Sequence, residues 1–279
     1  MGVRELLFAW PISALVLAIG ITSNRDAYAD LIFSAPPRED PAKGDEIYGP
    51  VVKHLSEILG EHVIYEHPMG WFQYSSDMRK GKYDIVFDGP HFAAWRIKHL
   101  GHTPVAKLPG ELDFFVIAHS NDNQTNSLQD LVTKKFCSLL SPNLGTVTMY
   151  AQYKNPVVQP KLYDIEGSFR SVYNAFKQGK CEAAVIRDNI YNKLDAKEKQ
   201  TIKIIFKSKP LPNQTFTVSK RISQKKRDLI AYALTSFQGR EFGDKLLSRF
   251  SKTAKYFVAT DIKDYQSLEL LLEGVVWGW

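Results

Sequence analysis

The residues of this chain that could do chemistry lie where an apolar strand gives way to small residues and then to a helix. The four places are Ser34-Ala35-Pro36, Gly89-Pro90-His91, the stretch 141–146 and Gly167-Ser168. A helix N-terminus offers unpaired N–H groups and a partial positive charge, and anions bind there readily. Any one such joint is more often an ordinary turn, but four at corresponding strand ends favour anion binding.

Gly89 and Pro90 show what such a joint requires. Glycine lets the backbone approach a ligand closely. Proline suits the first helical position, where its missing N–H costs nothing. The joint is therefore expected to turn the amides that follow it toward a cleft.

Signatures of other chemistry are missing from the sequence. There is no G-x-S-x-G, H-E-x-x-H, G-x-x-x-x-G-K-[ST] or C-x-x-C motif, and the seven histidines do not fall at metal-ligand spacing. The formal net charge of +6 is spread along the chain without a Lys/Arg block, which argues against a nucleic-acid partner. We expect no enzyme activity, no cofactor and no metal.

Residues 1–29 have the order of a secretory signal peptide. A basic Arg4 precedes an apolar stretch, and Ala27-Tyr28-Ala29 precedes an expected cleavage before Asp30. A membrane anchor is the alternative, but the apolar run is interrupted and short for a bilayer span. The mature chain is therefore expected to be soluble and exported.

The chain has two cysteines, Cys137 and Cys181. Export would place them in an oxidising compartment, where two cysteines often pair. Two buried free thiols are the alternative. Because the strands that carry them should be neighbours in a doubly wound sheet, we predict a disulfide.

Short strands rich in Val, Ile and Phe alternate with amphipathic helices through the mature chain. Helices are expected over 45–60, 168–180 and 223–238. Strands are expected over 31–37, 62–68, 83–89, 114–120, 135–141, 160–166, 182–188, 202–208 and 214–220. This alternation predicts an α/β fold with right-handed crossovers, and the nearly continuous apolar strands are typical of parallel strands covered on both faces.

Two polar, turn-forming stretches at 117–127 and 207–215 could be crossings between two lobes. Lobe 1 would then be discontinuous, formed by 30–118 and 212–279, and lobe 2 would be 119–211. A single continuous sheet with two surface loops fits the pattern equally well.

Four segments resemble a known family: "PREDPAKGDEIYGPVVKHLSEILGEHVIYEHP" (37–68), "MRKGKYDIVFDGPHFAAW" (78–95), "LSPNLGTVTMYAQY" (140–153) and "GSFRSVYNAFKQGKCEAAVIRD" (167–188). They are similar to the phosphate/phosphite/phosphonate-type periplasmic solute-binding proteins of bacterial ABC importers. The resemblance implies the type II periplasmic binding protein fold, with two lobes, a two-crossing hinge and doubly wound sheets. It also implies that a small anionic ligand is trapped between the lobes and delivered to an ABC permease in the inner membrane.

The resemblance further implies a periplasmic location, and we expect a monomer. The same fold can instead serve a sensor that docks on a membrane receptor kinase or cyclase, and the chain alone does not separate the two roles. The expected ligand-binding residues are Trp71, Tyr74, Asp88, Gly89, Pro90, His91, Asn143, Leu144, Gly145, Thr146, Thr148, Ser168, Arg170 and Asp188.

This sequence departs from the family pattern at three places. The family usually has a Tyr a few residues after Gly-Pro, where residues 91–95 of this chain read His-Phe-Ala-Ala-Trp. The loop 143–148 also has fewer hydroxyls than the family's Ser/Thr run. Arg170 replaces an acid that helps to hold the ligand amine in aminoalkylphosphonate binders. We therefore expect a ligand without a free amine, unless Asp88 faces the cleft. A solvated Arg170 that pairs with Glu166 is the alternative.

Overall fold

The computed structural model describes residues 1–2 and 30–273. The predicted signal peptide therefore lies, except for its first two residues, outside the described residues. Within the described part of the chain, no helix is long and apolar enough to cross a bilayer.

The described strands form two five-stranded sheets and a two-stranded ribbon. In spatial order, the first sheet contains β2 (Val63–Glu66), β1 (Leu31–Ser34), β3 (Ile85–Asp88), β12 (Thr215–Val218) and β4 (Thr103–Lys107). The second contains β10 (Ile202–Lys207), β6 (Phe114–His119), β9 (Ala183–Arg187), β7 (Lys135–Ser138) and β8 (Lys161–Asp164). The ribbon pairs β5 (Glu111–Leu112) with β11 (Leu211–Pro212).

Both sheets are mixed rather than wholly parallel. In the first, β1 runs parallel to β2 and β3, whereas β12 runs antiparallel to β3 and β4. In the second, β7 runs parallel to β8 and β9, whereas β6 runs antiparallel to β9 and β10. Every strand predicted from the sequence overlaps an observed one. The unpredicted β4 contains Pro104, which an edge strand tolerates.

Helices cover the sheets and connect their strands. They are α1 (Pro41–Leu59), α2 (Trp71–Arg79), α3 (Pro90–Leu100), α4 (Leu144–Tyr150), α5 (Phe169–Lys177), α6 (Asp188–Asn192), α7 (Ala196–Gln200), α8 (Gln224–Thr235), α9 (Phe237–Phe242), α10 (Asp244–Phe250) and α11 (Leu270–Glu273). Local signals set the ends of α1, because the Asp40 carboxylate accepts from the Lys43 amide and Gly60 ends the helix in the left-handed conformation.

The core lies on both faces of each sheet. Ile85 and Phe87 of β3 belong to one apolar cluster with α1, whereas Val86, between them, packs with Tyr74 and Phe92 on the opposite face. Successive strand residues point to opposite faces, so a strand covered on both must be apolar throughout. This explains the continuous apolar runs in the sequence.

The chain crosses between the sheets twice, and the first crossing differs from the expected one. Strand β6 pairs with β9 and β10 in the second sheet, so the boundary expected at residue 118 falls inside that sheet. The crossing instead occupies 108–113, and 117–127 is the end of β6 and a surface loop. The second crossing, between β10 and β12, lies within 207–215. We use lobe 1 and lobe 2 for the first and second sheets with their helices.

A C-terminal segment, residues 262–273, contacts both lobes. Its helix α11 packs against α3 of lobe 1 and α4 of lobe 2. Leu272 joins the cluster of Phe92 and Trp95, and Leu271 packs against the core of lobe 2. The segment therefore ties the lobes together independently of the two crossings.

The predicted disulfide is confirmed. Cys137 and Cys181 are bonded, with Cα atoms 5.7 Å apart, and their strands β7 and β9 are neighbours in the second sheet. The bond closes a loop of 44 positions, which restricts the unfolded chain.

Removing this bond should destabilise the protein. In the chain-entropy view, a loop of this length contributes about 4 kcal/mol, so the double variant Cys137→Ala/Cys181→Ala should lose about that much free energy of unfolding in urea. Reduced wild-type protein is the matched control, because it lacks the bond but keeps both sulfur atoms. Equal urea midpoints for oxidised and reduced wild type would contradict the prediction.

Candidate functional site

A cleft of about 600 Å³ lies between the lobes. Both lobes and the hinge contribute to its walls. Of the residues expected at the site, six line the cleft: Trp71, Gly89, His91, Asn143, Leu144 and Ser168. The other eight are not among its lining residues: Tyr74, Asp88, Pro90, Gly145, Thr146, Thr148, Arg170 and Asp188.

The Gly-Pro joint brings His91 to the cleft. Gly89 caps α3 in an extended conformation and Pro90 takes its first position. A Cβ on Gly89 would lie 2.8 Å from Cε1 of His91, so the absence of a side chain makes room for the imidazole. His91 is 2% exposed, and its Nε2 lies 2.9 Å from the Pro142 carbonyl of lobe 2. Burial lowers the pKa of His91 to about 4, so the ring is neutral at neutral pH.

Asp88, at the end of β3, is committed to a buried ion pair. Its two oxygens accept from the Arg96 guanidinium at 2.7 and 2.6 Å, and Tyr74 donates a third hydrogen bond. Arg96 also donates to Thr217 of β12 at 3.0 Å. Asp88 therefore does not face the cleft, contrary to expectation, and both it and Tyr74 serve the framework of lobe 1.

Burial and charge act in opposite directions on this cluster. Burial is the largest single influence on Arg96 and lowers its pKa, but the attractions and hydrogen bonds of Asp88 and Tyr74 together outweigh it and raise that pKa. Burial, followed by the neighbouring Asp88 charge, raises the pKa of Tyr74 well above its usual value. Asp88 and Arg96 thus form a charged pair, and the phenol beside them stays neutral.

The loop 139–146 of lobe 2 uses most of its polar groups internally. The Asn143 side chain accepts from the Gly145 amide at 3.0 Å, and the Thr146 hydroxyl donates to the Leu139 carbonyl. A Cβ on Gly145 would meet the Phe114 ring at 2.8 Å. Gly145 therefore has to be small because the Phe114 ring packs on it, and Gly145 is not among the residues that line the cleft.

Two more of the lobe 2 residues expected at the site, Ser168 and Arg170, have other roles. Ser168 caps α5 by accepting from the Ser171 amide. Arg170 lies over the Tyr173 ring, with its Cζ 5.7 Å from the ring centroid. Arg170 is not among the cleft's lining residues, so it supplies no positive charge there and does not disfavour a ligand that carries an amine.

Three arginines that sequence reasoning did not select line the cleft: Arg38, Arg187 and Arg249. Arg249 is paired with Glu39 at 2.6 Å. Arg38 and Arg187 have no ion-pair partner within 4.0 Å among the described residues. Arg38 Nη1 and Arg187 Nε are buried and, within 30–273, have no hydrogen-bond partner.

The two unpaired arginines lie on opposite walls. Arg38 follows β1 in lobe 1, and Arg187 ends β9 in lobe 2. Burial lowers the pKa of Arg187, but a guanidinium stays charged in proteins. Both arginines could have been found from the sequence, because each lies at or shortly after the end of a strand. The same reasoning selected Gly89 at the end of β3.

Aromatic rings form the rest of the walls. Trp71 stacks on Phe92, with ring centroids 6.0 Å apart, and Phe114 packs against Phe169 in lobe 2. The exposed carboxylates Asp164 and Glu166 also line the lobe 2 side. Charged donors with unused capacity, set among apolar walls, can bind an anion strongly because water competes poorly there.

The Asp88–Arg96 pair should be a major source of stability for lobe 1. Asp88→Asn would leave Arg96 buried without its counter-charge, a change that typically costs about 3–5 kcal/mol. We expect a loss of that size in the free energy of unfolding, measured with urea. Glu46→Gln, which removes an exposed ion pair with Lys43, is the control and should change stability little. A stable Asp88→Asn protein would contradict this account.

Comparison with known proteins agrees with this architecture. The structure is similar to XAC2383 from Xanthomonas citri, solved bound to ATP, with 14% identity over 88% of this chain and 96% of that chain, at a TM-score of 0.65. It is also similar to PhnD1 from Prochlorococcus marinus in complex with methylphosphonate, with 16% identity over 87% and 97% of the two chains, at a TM-score of 0.60.

A third similar structure is a binding protein component of an ABC phosphonate transporter from Pseudomonas aeruginosa, with 18% identity over 87% of this chain and 85% of that chain, at a TM-score of 0.58. Similarity at these identities shows the fold, and it confirms the type II periplasmic binding protein fold. No protein of curated function matches the sequence significantly.

The family model described as "ABC transporter, phosphonate, periplasmic substrate-binding protein" matches residues 33–265. That match spans both sheets, both crossings and every residue assigned here to the cleft. The family is a solute-binding component of transporters rather than an enzyme family. This chain belongs to the phosphonate periplasmic substrate-binding protein family of ABC transporters.

Proposed function

We propose that this protein binds a small phosphorus oxyanion of the phosphonate class between its lobes and delivers it to an ABC permease. The observation that carries the proposal is the presence of two unpaired arginines, Arg38 and Arg187, on opposite walls of one cleft. Family membership supports the transport role, and a similar structure is bound to methylphosphonate.

The charge of the cleft suits such a ligand. A guanidinium presents a planar fork of donors that matches phosphate-like groups, and a tetrahedral anion has enough oxygens to contact two forks. Arg249 adds little free charge because Glu39 pairs with it. The positive charge available to a ligand therefore comes mainly from Arg38 and Arg187.

The position of these arginines also connects binding to lobe closure. An anion that contacts both walls would hold the lobes together, because neither arginine has an ion-pair partner within 4.0 Å among the described residues, although Asp188 and Asp113 lie near enough to Arg187 to act on its charge. A ligand that differs in affinity for the open and closed forms shifts their populations. The hinge for this motion would be the ribbon of β5 and β11 and the segments beside it.

The remaining parts of the proposal come from the sequence and the family. Export would follow cleavage of residues 1–29 before Asp30, which places the mature chain in the periplasm. We propose a monomer whose partner is a permease in the inner membrane.

Removing either unpaired arginine should weaken binding. A charged hydrogen bond contributes about 1.5–3 kcal/mol, so Arg38→Met and Arg187→Met should each lower the affinity for methylphosphonate about 10- to 150-fold in calorimetry. Arg187→Lys should recover only part of the loss, because lysine lacks the planar fork.

The matched control is Arg170→Met, which removes a lobe 2 arginine outside the cleft and should leave the affinity unchanged. Phosphite and phosphate are titrated in parallel so that the proposal does not depend on one member of the class. Wild-type affinity in Arg187→Met, or an equal loss in Arg170→Met, would refute this assignment of the site.

A further inference from the structure

Of the two nitrogens of the His91 ring, Nε2 makes a hydrogen bond within the described structure and Nδ1 does not. The Nε2 atom lies 2.9 Å from the Pro142 carbonyl oxygen. A carbonyl can only accept a hydrogen bond, so Nε2 must carry the hydrogen. In the neutral ring, Nδ1 then has no hydrogen and can act only as an acceptor. The low pKa of His91, which burial brings to about 4, is consistent with a neutral ring.

The Nδ1 atom is buried at the cleft and, in the described part of the chain, has no hydrogen-bond partner. Buried polar atoms are normally paired, so an unpaired one needs an explanation. Gly89 leaves space beside it, since a Cβ there would lie 3.0 Å from Nδ1. The same point is 3.9 Å from Arg38 Nη2, so the guanidinium of Arg38 and the unpaired imidazole nitrogen border the same space beside Gly89.

Among the residues that the structure describes, no other charged group acting on His91 supplies the missing donor. Asp88 and Arg96 influence His91 from β3 and from its own helix, but they are paired with each other at 2.6 Å. Lobe 2 contributes the Pro142 carbonyl, which accepts. The groups beside Gly89 that remain available are therefore an acceptor on His91 and a donor on Arg38.

An adjacent acceptor and cationic donor complement a ligand that has both an O–H and an O⁻ on one centre. We infer that His91 makes the site specific for oxyanions that still carry a proton, such as hydrogen phosphonate or dihydrogen phosphate monoanions. This inference rests on the proposed function, since it concerns the oxyanion bound in the same cleft. Sulfonates and sulfate have the same tetrahedral shape but no proton to donate.

The expected discrimination follows from the pairing. A protonated oxygen donates to Nδ1, whereas a bare oxygen leaves two acceptors facing each other and Nδ1 buried without a partner. Leaving a buried group unpaired corresponds to a loss of about 10- to 100-fold in affinity. Affinity for a phosphonate should also fall, by about tenfold per pH unit, as the pH rises above its second ionisation.

The test is calorimetry on the wild-type protein with two matched pairs of anions, methylphosphonate with methanesulfonate and phosphate with sulfate. We expect the protonated member of each pair to bind at least about tenfold more tightly. We also expect methylphosphonate to weaken above its second ionisation while methanesulfonate does not change with it.

Two variants locate the effect at Nδ1. His91→Gln keeps an N–H that can donate to the Pro142 carbonyl but places no atom at Nδ1, so the preference and its pH dependence should disappear. His91→Asn gives up the contact to Pro142 but places an amide near Nδ1. That amide can donate or accept, so this variant should gain methanesulfonate binding relative to wild type.

The outcomes separate this inference from the proposed function. Equal wild-type affinity within both pairs would overturn the inference and leave anion binding intact. Binding of none of the four anions by folded wild-type protein would overturn both. A preference that persists in His91→Gln would show that the proton is recognised elsewhere and would also overturn the inference.

Discussion

The ion pair between Asp88 and Arg96 holds together the lobe 1 side of the cleft. It joins the end of β3 to the middle of α3, and through Thr217 it reaches β12. Buried charges are costly unless they are paired and hydrogen-bonded, so these elements have little freedom to shift separately. The joint at Gly89-Pro90 follows Asp88 at once and begins the helix that carries Arg96. Because the ion pair fixes both the strand end and the helix, it also fixes the position of His91.

The positive charge of the cleft has a different origin. Arg38 and Arg187 approach the same space from separate lobes, so in the empty cleft they repel each other and favour separation of the walls. A bound anion replaces that repulsion with two attractions. In the proposed site, ligand charge and lobe position would therefore be coupled, even though the two arginines belong to different lobes and lie far apart in sequence.

The sequence predicted the strands and helices and the Gly89-Pro90 joint well, but it did not predict which charged side chains line the cleft. The apolar runs of β3 and β9, and the glycine and proline after β3, are local signals that survive folding. The direction of a long side chain is not local: Arg170 lies over Tyr173 outside the cleft, whereas Arg187 lines it. Asp88 was misjudged for the same reason, because its partner Arg96 meets it only once α3 packs on the sheet.

The contacts that residues 262–273 make with both lobes affect how much of the ligand's binding free energy would be needed to close the lobes. Because α11 contacts both α3 and α4, a rotation that separates those helices exposes apolar area on Leu271 and Leu272, which water disfavours. If the lobes open and close as proposed, these contacts would raise the fraction of unliganded molecules that are already closed. Apparent affinity rises with that fraction. In the proposed transport role, release of the ligand at a permease would have to overcome the same contacts, so residues 262–273 would balance capture from dilute solution against delivery.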